Sequence, residues 1–247
     1  TSRAVREAER LLRQPATGVF GEVELDGLAE PVREMLGGAI APGTPLVTSA
    51  RLEMRGEIRL GRWRRFSGSE VLAPHAGFVW AVRVGPITGF DRYLGGAGEM
   101  RWRLIGVVPV TSARGPDVSR SAAGRIAGEA VWIPTALLPR FGVEWSTVDE
   151  RHLVARLGLD AHLLELHYGL DERARVERVW FDRWGDPDGS GTYGLHPFGV
   201  ETLAWETFGG LTIPNAGRAG WHYGTDRWED GVFFRYEITG LEPLGAR

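Results

Sequence analysis

The chain has 247 residues, 43% hydrophobic and 25% charged, with a net charge of −3. That length can bury a large core and the balance excludes a disordered chain, while the acidic sum and the lack of a basic stripe argue against a nucleic-acid partner. All 29 basic residues are arginine and cysteine is absent, which removes lysine Schiff bases, thiol nucleophiles, disulfides and thiolate metal sites.

The opening TSRAVREAERLLRQ is charged and helical in pattern, unlike a secretory signal, and no apolar run is long enough to expect a transmembrane segment. A cytoplasmic location is expected. A trimmed start, since no initiator Met is present, leaves a periplasmic or membrane-anchored protein as the alternative. Residues 2–13 place Ala4, Ala8, Leu11 and Leu12 at helical spacing. A second helix is predicted over 28–37, with Pro31 in its first turn and Gly37 and Gly38 beyond its end.

The period then changes to two. Leu52, Met54, Ile58 and Leu60 alternate with charged residues, and the rhythm returns at 77–85, 99–110, 177–184, 201–208 and 231–241. Turn signals stand at 95–98, 185–191, 214–220 and 228–231. The stretch 159–170 fits a helix through Leu159, Leu163, Leu166 and Leu170 and a strand through Leu164, Leu166 and Tyr168; the turn-like GLDE that follows favours the strand.

Roughly ten short-turned strands imply an antiparallel meander, which at that size must curl or close. The expected fold is mainly β (α+β): one large curved antiparallel sheet, a half-barrel or open barrel, wrapped around one or two short helices. The whole chain, 1–247, reads as a single domain. Within it a helical segment, 1–38, packs on a sheet over 46–241 that contains a helix at about 119–133.

That helix, in GRIAGEAVWIPTALLP, places Arg125, Glu129 and Trp132 on one face and Ile126, Ala130 and Ile133 on an adjacent apolar stripe. Asp117 or Ser119 can cap its start, and Pro134 ends it near Ile133. Two readings follow: an ion pair that pins the helix beside a core tryptophan, or a polar face lining a cavity. Asp91 and Tyr93 share a strand face and form a candidate acid–base couple with Glu129, if the protein is an enzyme. Trp80, Trp102, Trp180, Trp184 and Trp205 lie in alternating runs, with Trp221 and Trp228 flanking a turn. They are either aromatic core or the wall of a wide apolar pocket, for which Arg83, Asp91, Tyr93, Arg183, His196, His222 and Tyr223 are candidate polar groups.

His162, Glu165 and His167 lack the helical H-E-x-x-H pattern, and DPDGSG (186–191) has Trp184 and Leu195 at the end positions of a calcium loop. Neither points to a metal. No dinucleotide fingerprint, phosphate loop or nucleophile elbow occurs, so no cofactor is expected.

The segments GFVWAVRVG, DRYLGGAGEMRWRLIGVVPV, SAAGRIAGEAVWIPTALLP, FGGLTIP and GWHYGTDRW, in that order, resemble a bacterial domain-of-unknown-function family frequent in actinobacteria. The likeness covers about 28–240, and the 124–139 helix and the Trp221 segment are its most specific parts. The family in turn looks like the half-barrel of periplasmic lipoprotein carriers, which implies a curved sheet with an apolar cavity; such carriers are exported. The resemblance implies binding of a hydrophobic small molecule or lipid. On that reading Arg125, Trp132, Arg83, Trp80, Trp102, Arg183, His196, Trp221, His222 and Tyr223 are the ligand-binding candidates. The alternative is a cofactor-independent cyclase, isomerase or dehydratase acting on a hydrophobic metabolite. The sequence leaves the oligomeric state open.

Overall fold

The computed structural model describes residues 3–245. The chain ends of the expected 1–247 unit, and with them Ser2 and the side chain of Ala4, lie outside the described residues. Two helices, α1 (Arg3–Leu12) and α2 (Glu30–Ala39), precede six strands. These are β1 (Ala50–Leu60), β2 (Arg62–Ala73), β3 (Gly77–Val84), β4 (Ile87–Leu94), β5 (Ala97–Leu104) and β6 (Val108–Arg114). Helix α3 (Pro116–Glu129) and three short 3₁₀ turns over 130–141 follow. Next come β7 (Glu144–Asp149), β8 (His152–Leu159), β9 (His162–Leu170), β10 (Val176–Gly185), β11 (Gly194–Phe208) and β12 (Leu211–Trp221), then a one-turn helix α4 (Trp228–Gly231) and β13 (Val232–Pro243).

All thirteen strands join one antiparallel sheet in the order β6-β5-β4-β3-β2-β1-β13-β12-β11-β10-β9-β8-β7. The first meander runs outward from β1 to one edge. Helix α3 then carries the chain to the opposite edge, and the second meander returns until β13 pairs with β1, Ile58 opposite Phe234. The fold is therefore the mainly β, open curved sheet that the alternation predicts. Its curl is visible in its contacts, since α3 touches β4, β5 and β6 on one side and β9 and β10 on the other.

Alternation sorts the side chains onto two faces. Leu52, Leu72, Phe78, Trp80 and Tyr236 point inward and build the main core with Ile126 and Ile133. Val71, Val79 and Phe90 point outward, where α1 covers them with Val5, Ala8 and Leu12. Leu11, expected in the helical stripe, is half exposed instead, because the sheet meets the Val5–Ala8–Leu12 side of α1.

Several local expectations are corrected. The run 99–110 is two strands, because a turn at Ile105 and Gly106 (φ 53° and 73°) splits it. The glycine-rich 214–220 is no turn but the middle of β12: a Cβ on Gly217 would stand 2.7 Å from the Tyr236 hydroxyl, so the small residue permits close approach. Gly37 and Gly38 fall inside the last turn of α2, and 228–231 is the helix α4. The ambiguous 159–170 stretch is the end of β8 followed by β9, as the strand period implied. Helix α3 begins at Pro116 after Gly115, with no side-chain cap from Asp117 or Ser119, and its α-helical part ends at Glu129, one 3₁₀ turn before Pro134.

The 3₁₀ segment closes one end of the curl. Thr135 Oγ1 donates to the Val47 carbonyl (2.6 Å) and the Trp145 indole donates to the Leu137 carbonyl (2.9 Å). The opposite end carries the β1–β2, β3–β4 and β5–β6 turns, the β10–β11 loop and α4. There the interior opens.

Candidate functional site: a polar cluster in an aromatic cavity

Helix α3 sits deep in the curl because glycine lets both sides of the sheet reach it. A Cβ on Gly98 of β5 would stand 2.7 Å from Ser119 Cα, and the Gly98 N–H donates to Ser119 Oγ (2.9 Å). On the other side, Gly128 meets the Phe181 ring, which a Cβ would approach to 3.1 Å. That seating brings Arg125 to the inner face of β2, β3 and β4.

Arg125 is the hub of the cluster. Its Nε donates to Glu129 Oε1 (2.7 Å), one Nη to Asp91 Oδ2 (3.4 Å) and the other to the Glu70 carboxylate (3.3 Å). Its guanidinium lies over the Phe78 and Trp80 rings, 4.5 and 4.8 Å from their centroids, a cation–π arrangement. Asp91 also accepts from the Trp102 indole N–H at 2.8 Å. Arg183 completes the group from β10. It is sandwiched between Phe198 and Trp221 (4.7 and 5.2 Å), with Nε donating to the Ser121 carbonyl at 3.4 Å and no ion pair among the described residues.

Three carboxyl groups thus face two guanidiniums. Among the three, Glu70 is the one raised furthest above its ordinary value. Complete burial, then the charge of Glu129, outweigh the attraction of Arg125 and hold its carboxyl well above the usual glutamate range. The charge of Asp91 acts in the same direction. Burial also raises Asp91, against the pull of Arg125 and Trp102. Burial works against the charge of Arg125, but Glu129, Glu70 and Asp91 together raise its pKa. Arg183, buried and facing Arg125, is pushed down to about 10.

Beyond the cluster lies a cavity of about 1050 Å³, open at the turn end. Trp80, Trp102, Trp132 and Trp221 line it, with Ile58, Phe234 and Tyr236 among the others, while Asp91, Arg125, Glu129 and Arg183 form its polar wall. Phe66 and Phe234 stack at 4.9 Å, and Trp132 meets Tyr236 edge-on at 5.2 Å. Three buried donors of lining residues, Trp80 Nε1, Trp132 Nε1 and the Tyr236 hydroxyl, have no hydrogen-bond partner, and neither does Glu129 Oε2. Burial raises the Tyr236 phenol, so it is a neutral donor at physiological pH.

Nine of the candidates from sequence border this cavity: Trp80, Asp91, Trp102, Arg125, Glu129, Trp132, Arg183, Trp221 and His222. The other four do not. Tyr93 shares the inward face of β4 with Asp91 but is fully buried, and its hydroxyl donates to Asp160 in the β8–β9 turn (2.7 Å), so the expected Asp91–Tyr93 couple does not form. Arg83 falls on the outer face and is exposed, one residue out of phase with Trp80 and Val82. His196 packs edge-on against Trp221 without reaching the cavity. Tyr223 lies on the outer face over Gly199, near Trp180, His152 and His167. No group of three or more His, Cys, Asp or Glu is placed to hold a metal among the described residues.

Glu70 was missed. Its signal is its phase: Phe66, Gly68, Glu70 and Leu72 share the inward face of β2, so a glutamate there is buried. A charged residue on an otherwise apolar face is the informative exception in an alternating strand.

Among known proteins, a family profile matches residues 18–233. The chain belongs to DUF6544, a family of unknown function. Solved structures similar to this DUF6544 member include a LolA superfamily protein from Nitrosomonas europaea, 8% identical, with 88% of this chain and 92% of that chain covered and a TM-score of 0.44. A DUF1329 family protein from Desulfovibrio piger is 12% identical over 80% of this chain and 86% of the other, with a TM-score of 0.43. No curated protein matches the sequence.

Proposed function

We propose that this DUF6544 chain binds a hydrophobic small molecule or lipid inside the curled sheet. The observation that carries this reading is the cavity itself. At about 1050 Å³ it is at the upper end of ordinary ligand pockets, and it combines a mainly apolar, tryptophan-bearing wall with convergent polar groups at its inner end. A guest lies with its apolar body among Trp80, Trp102, Trp221 and Phe234 and a neutral, hydrogen-bonding group against Trp132, Tyr236 and Glu129. Arg125, already met by Glu70, Asp91 and Glu129, favours such a group over a free anion.

Solvent extraction of the purified protein followed by mass spectrometry tests the reading. A bound amphiphile is expected, and Ala219→Trp, which fills the cavity from β12, should expel it while the fold is retained. A wild-type protein that yields no guest and shows no tryptophan fluorescence response to hydrophobic probes would sink the proposal.

One observation favours a second reading, a cofactor-independent isomerase, cyclase or dehydratase. Glu129, whose Oε2 is unpartnered, belongs to the cavity wall and has the burial-raised Glu70 carboxyl behind it, which suits an acid–base step on a bound guest. Under that reading Glu129→Gln binds the guest but does not convert it; a guest recovered unchanged from the wild type after incubation removes the reading.

A further inference from the structure

The open end of the sheet carries apolar surface that guest binding does not use. The β5–β6 hairpin reads Leu-Ile-Gly-Val-Val-Pro-Val over 104–110, and Ile105, Val107, Val108 and Val110 are 74%, 71%, 56% and 51% exposed. Four large aliphatic side chains gathered on one protruding hairpin differ from the scattered apolar residues of any soluble surface and mark a contact site. The turn holds Ile105 at φ 53°, a conformation that β-branched residues rarely adopt, and so presents its side chain to solvent.

Arginines stand on this side of the rim, while Asp188 and Asp230 border the mouth from the β10–β11 loop and α4. Arg59, Arg62, Arg64 and Arg65 stand on the β1–β2 hairpin and Arg103 on β5, all exposed. Arg59 donates to the Asp230 carbonyl, and the other four have no carboxylate partner among the described residues. The Ile105 N–H donates to the Pro86 carbonyl (2.9 Å), so the apolar tip leans on the β3–β4 turn that stands between it and the β1–β2 hairpin. Arg59, Leu60, Arg64, Ile87 and Val110 all border the mouth of the cavity.

We propose that this rim docks on the surface of an anionic lipid bilayer, with the 104–110 hairpin seated at the acyl boundary and the arginines against lipid phosphates. Apolar side chains flanked by unpaired cations match such a surface in both respects, and the two signals together give firmer attachment than either alone. No helix among the described residues is long and apolar enough to cross a membrane, so the contact is with the surface. Docked this way, the mouth faces the lipid and a guest passes between bilayer and cavity without crossing water; that consequence rests on the cavity reading, the docking does not.

Sedimentation of the full chain with phosphatidylcholine vesicles, with and without phosphatidylglycerol, tests the proposal. Binding is expected only with the anionic lipid, and raised salt should release it. Arg62→Glu, Arg64→Glu and Arg65→Glu combined should weaken partition by about five-fold or more per arginine. Because the chain has no cysteine, Val107→Cys accepts a single environment-sensitive dye, whose emission should shift to the blue on anionic vesicles. Circular dichroism confirms that these surface variants fold. The proposal is overturned by absent vesicle binding at low ionic strength, by binding that leaves the dye unshifted, or by light scattering that shows the face is covered by a second copy. A protein that keeps its extracted guest but ignores vesicles refutes docking alone; one that binds vesicles but holds no guest refutes the cavity reading alone.

Discussion

Glu70 is fully buried and raised by that burial, and its effect on stability has a definite sign. The folded chain keeps this proton to a higher pH than the unfolded chain, whose glutamate titrates near 4.5. Unfolding above that value releases the proton, so stability falls as pH rises through the window up to the folded pKa. Glu70→Gln mimics the uncharged acid and keeps an acceptor for Arg125. Denaturant midpoints measured from pH 5 to 9 should fall less steeply for the variant, leaving it the more stable protein at the alkaline end. Asp91, also raised by burial, retains a slope of the same sign. Parallel curves for variant and wild type would show that Glu70 is ionised in both states. Removing the hub has the opposite result. Arg125→Met strips the cation from three buried carboxylates and should cost about 3–5 kcal/mol in urea unfolding at neutral pH. The loss should shrink at acid pH, where the carboxylates take up protons instead.

At the scale of elements, the seating of α3 depends on missing side chains more than on helix propensity. Valine has a higher strand preference than glycine, so propensity alone predicts that Gly98→Val stabilises β5. The geometry predicts the reverse, because the new Cβ would meet Ser119 backbone at 2.7 Å. A loss of about 2–3 kcal/mol is expected, as for an overpacked core. Gly158 on β8 has nothing within 4 Å of its Cβ position, so Gly158→Val should be neutral or stabilising by about 0.5 kcal/mol. Urea midpoints of the pair separate the two explanations: equal shifts would mean that the helix does not press on β5.

The whole molecule is an open sheet whose two arms are held around α3. β6 and β7 are its free edges. One tie between the arms is the Tyr93 hydroxyl of β4 bonded to Asp160 beyond β8. Burial, then the bond to Asp160 and its charge, raise the Tyr93 phenol well above its usual value, so it remains a donor across the physiological range. Tyr93→Phe should lower stability by about 1 kcal/mol in thermal or urea unfolding. Because Tyr93 does not line the cavity, guest retention in the extraction assay should be unchanged. Loss of the guest without loss of stability would instead assign Tyr93 to the site.

The alternation alone settles the class of fold, and nine of the residues that line the cavity are candidates from sequence. Period-two alternation places Leu52 with Met54, and Trp80 with Val82, on one face of their own strands, and helical spacing places Arg125 beside Glu129. Phase was also enough to flag Glu70, had the β2 stretch been read as a strand. What alternation cannot give is which of two faces is inner, or which distant strands meet. Only the curl of the sheet decided that Arg83 is outside, that Tyr93 pairs with Asp160 and not with Asp91's partners, and that Arg183 of β10 reaches α3. The same limit misplaced 214–220, where glycines that signal a turn locally serve as contact points for Tyr236 and Gly231 across the sheet. Local spacing fixes directions along one element. Contacts between elements depend on the closure of the whole sheet, which no single stretch encodes.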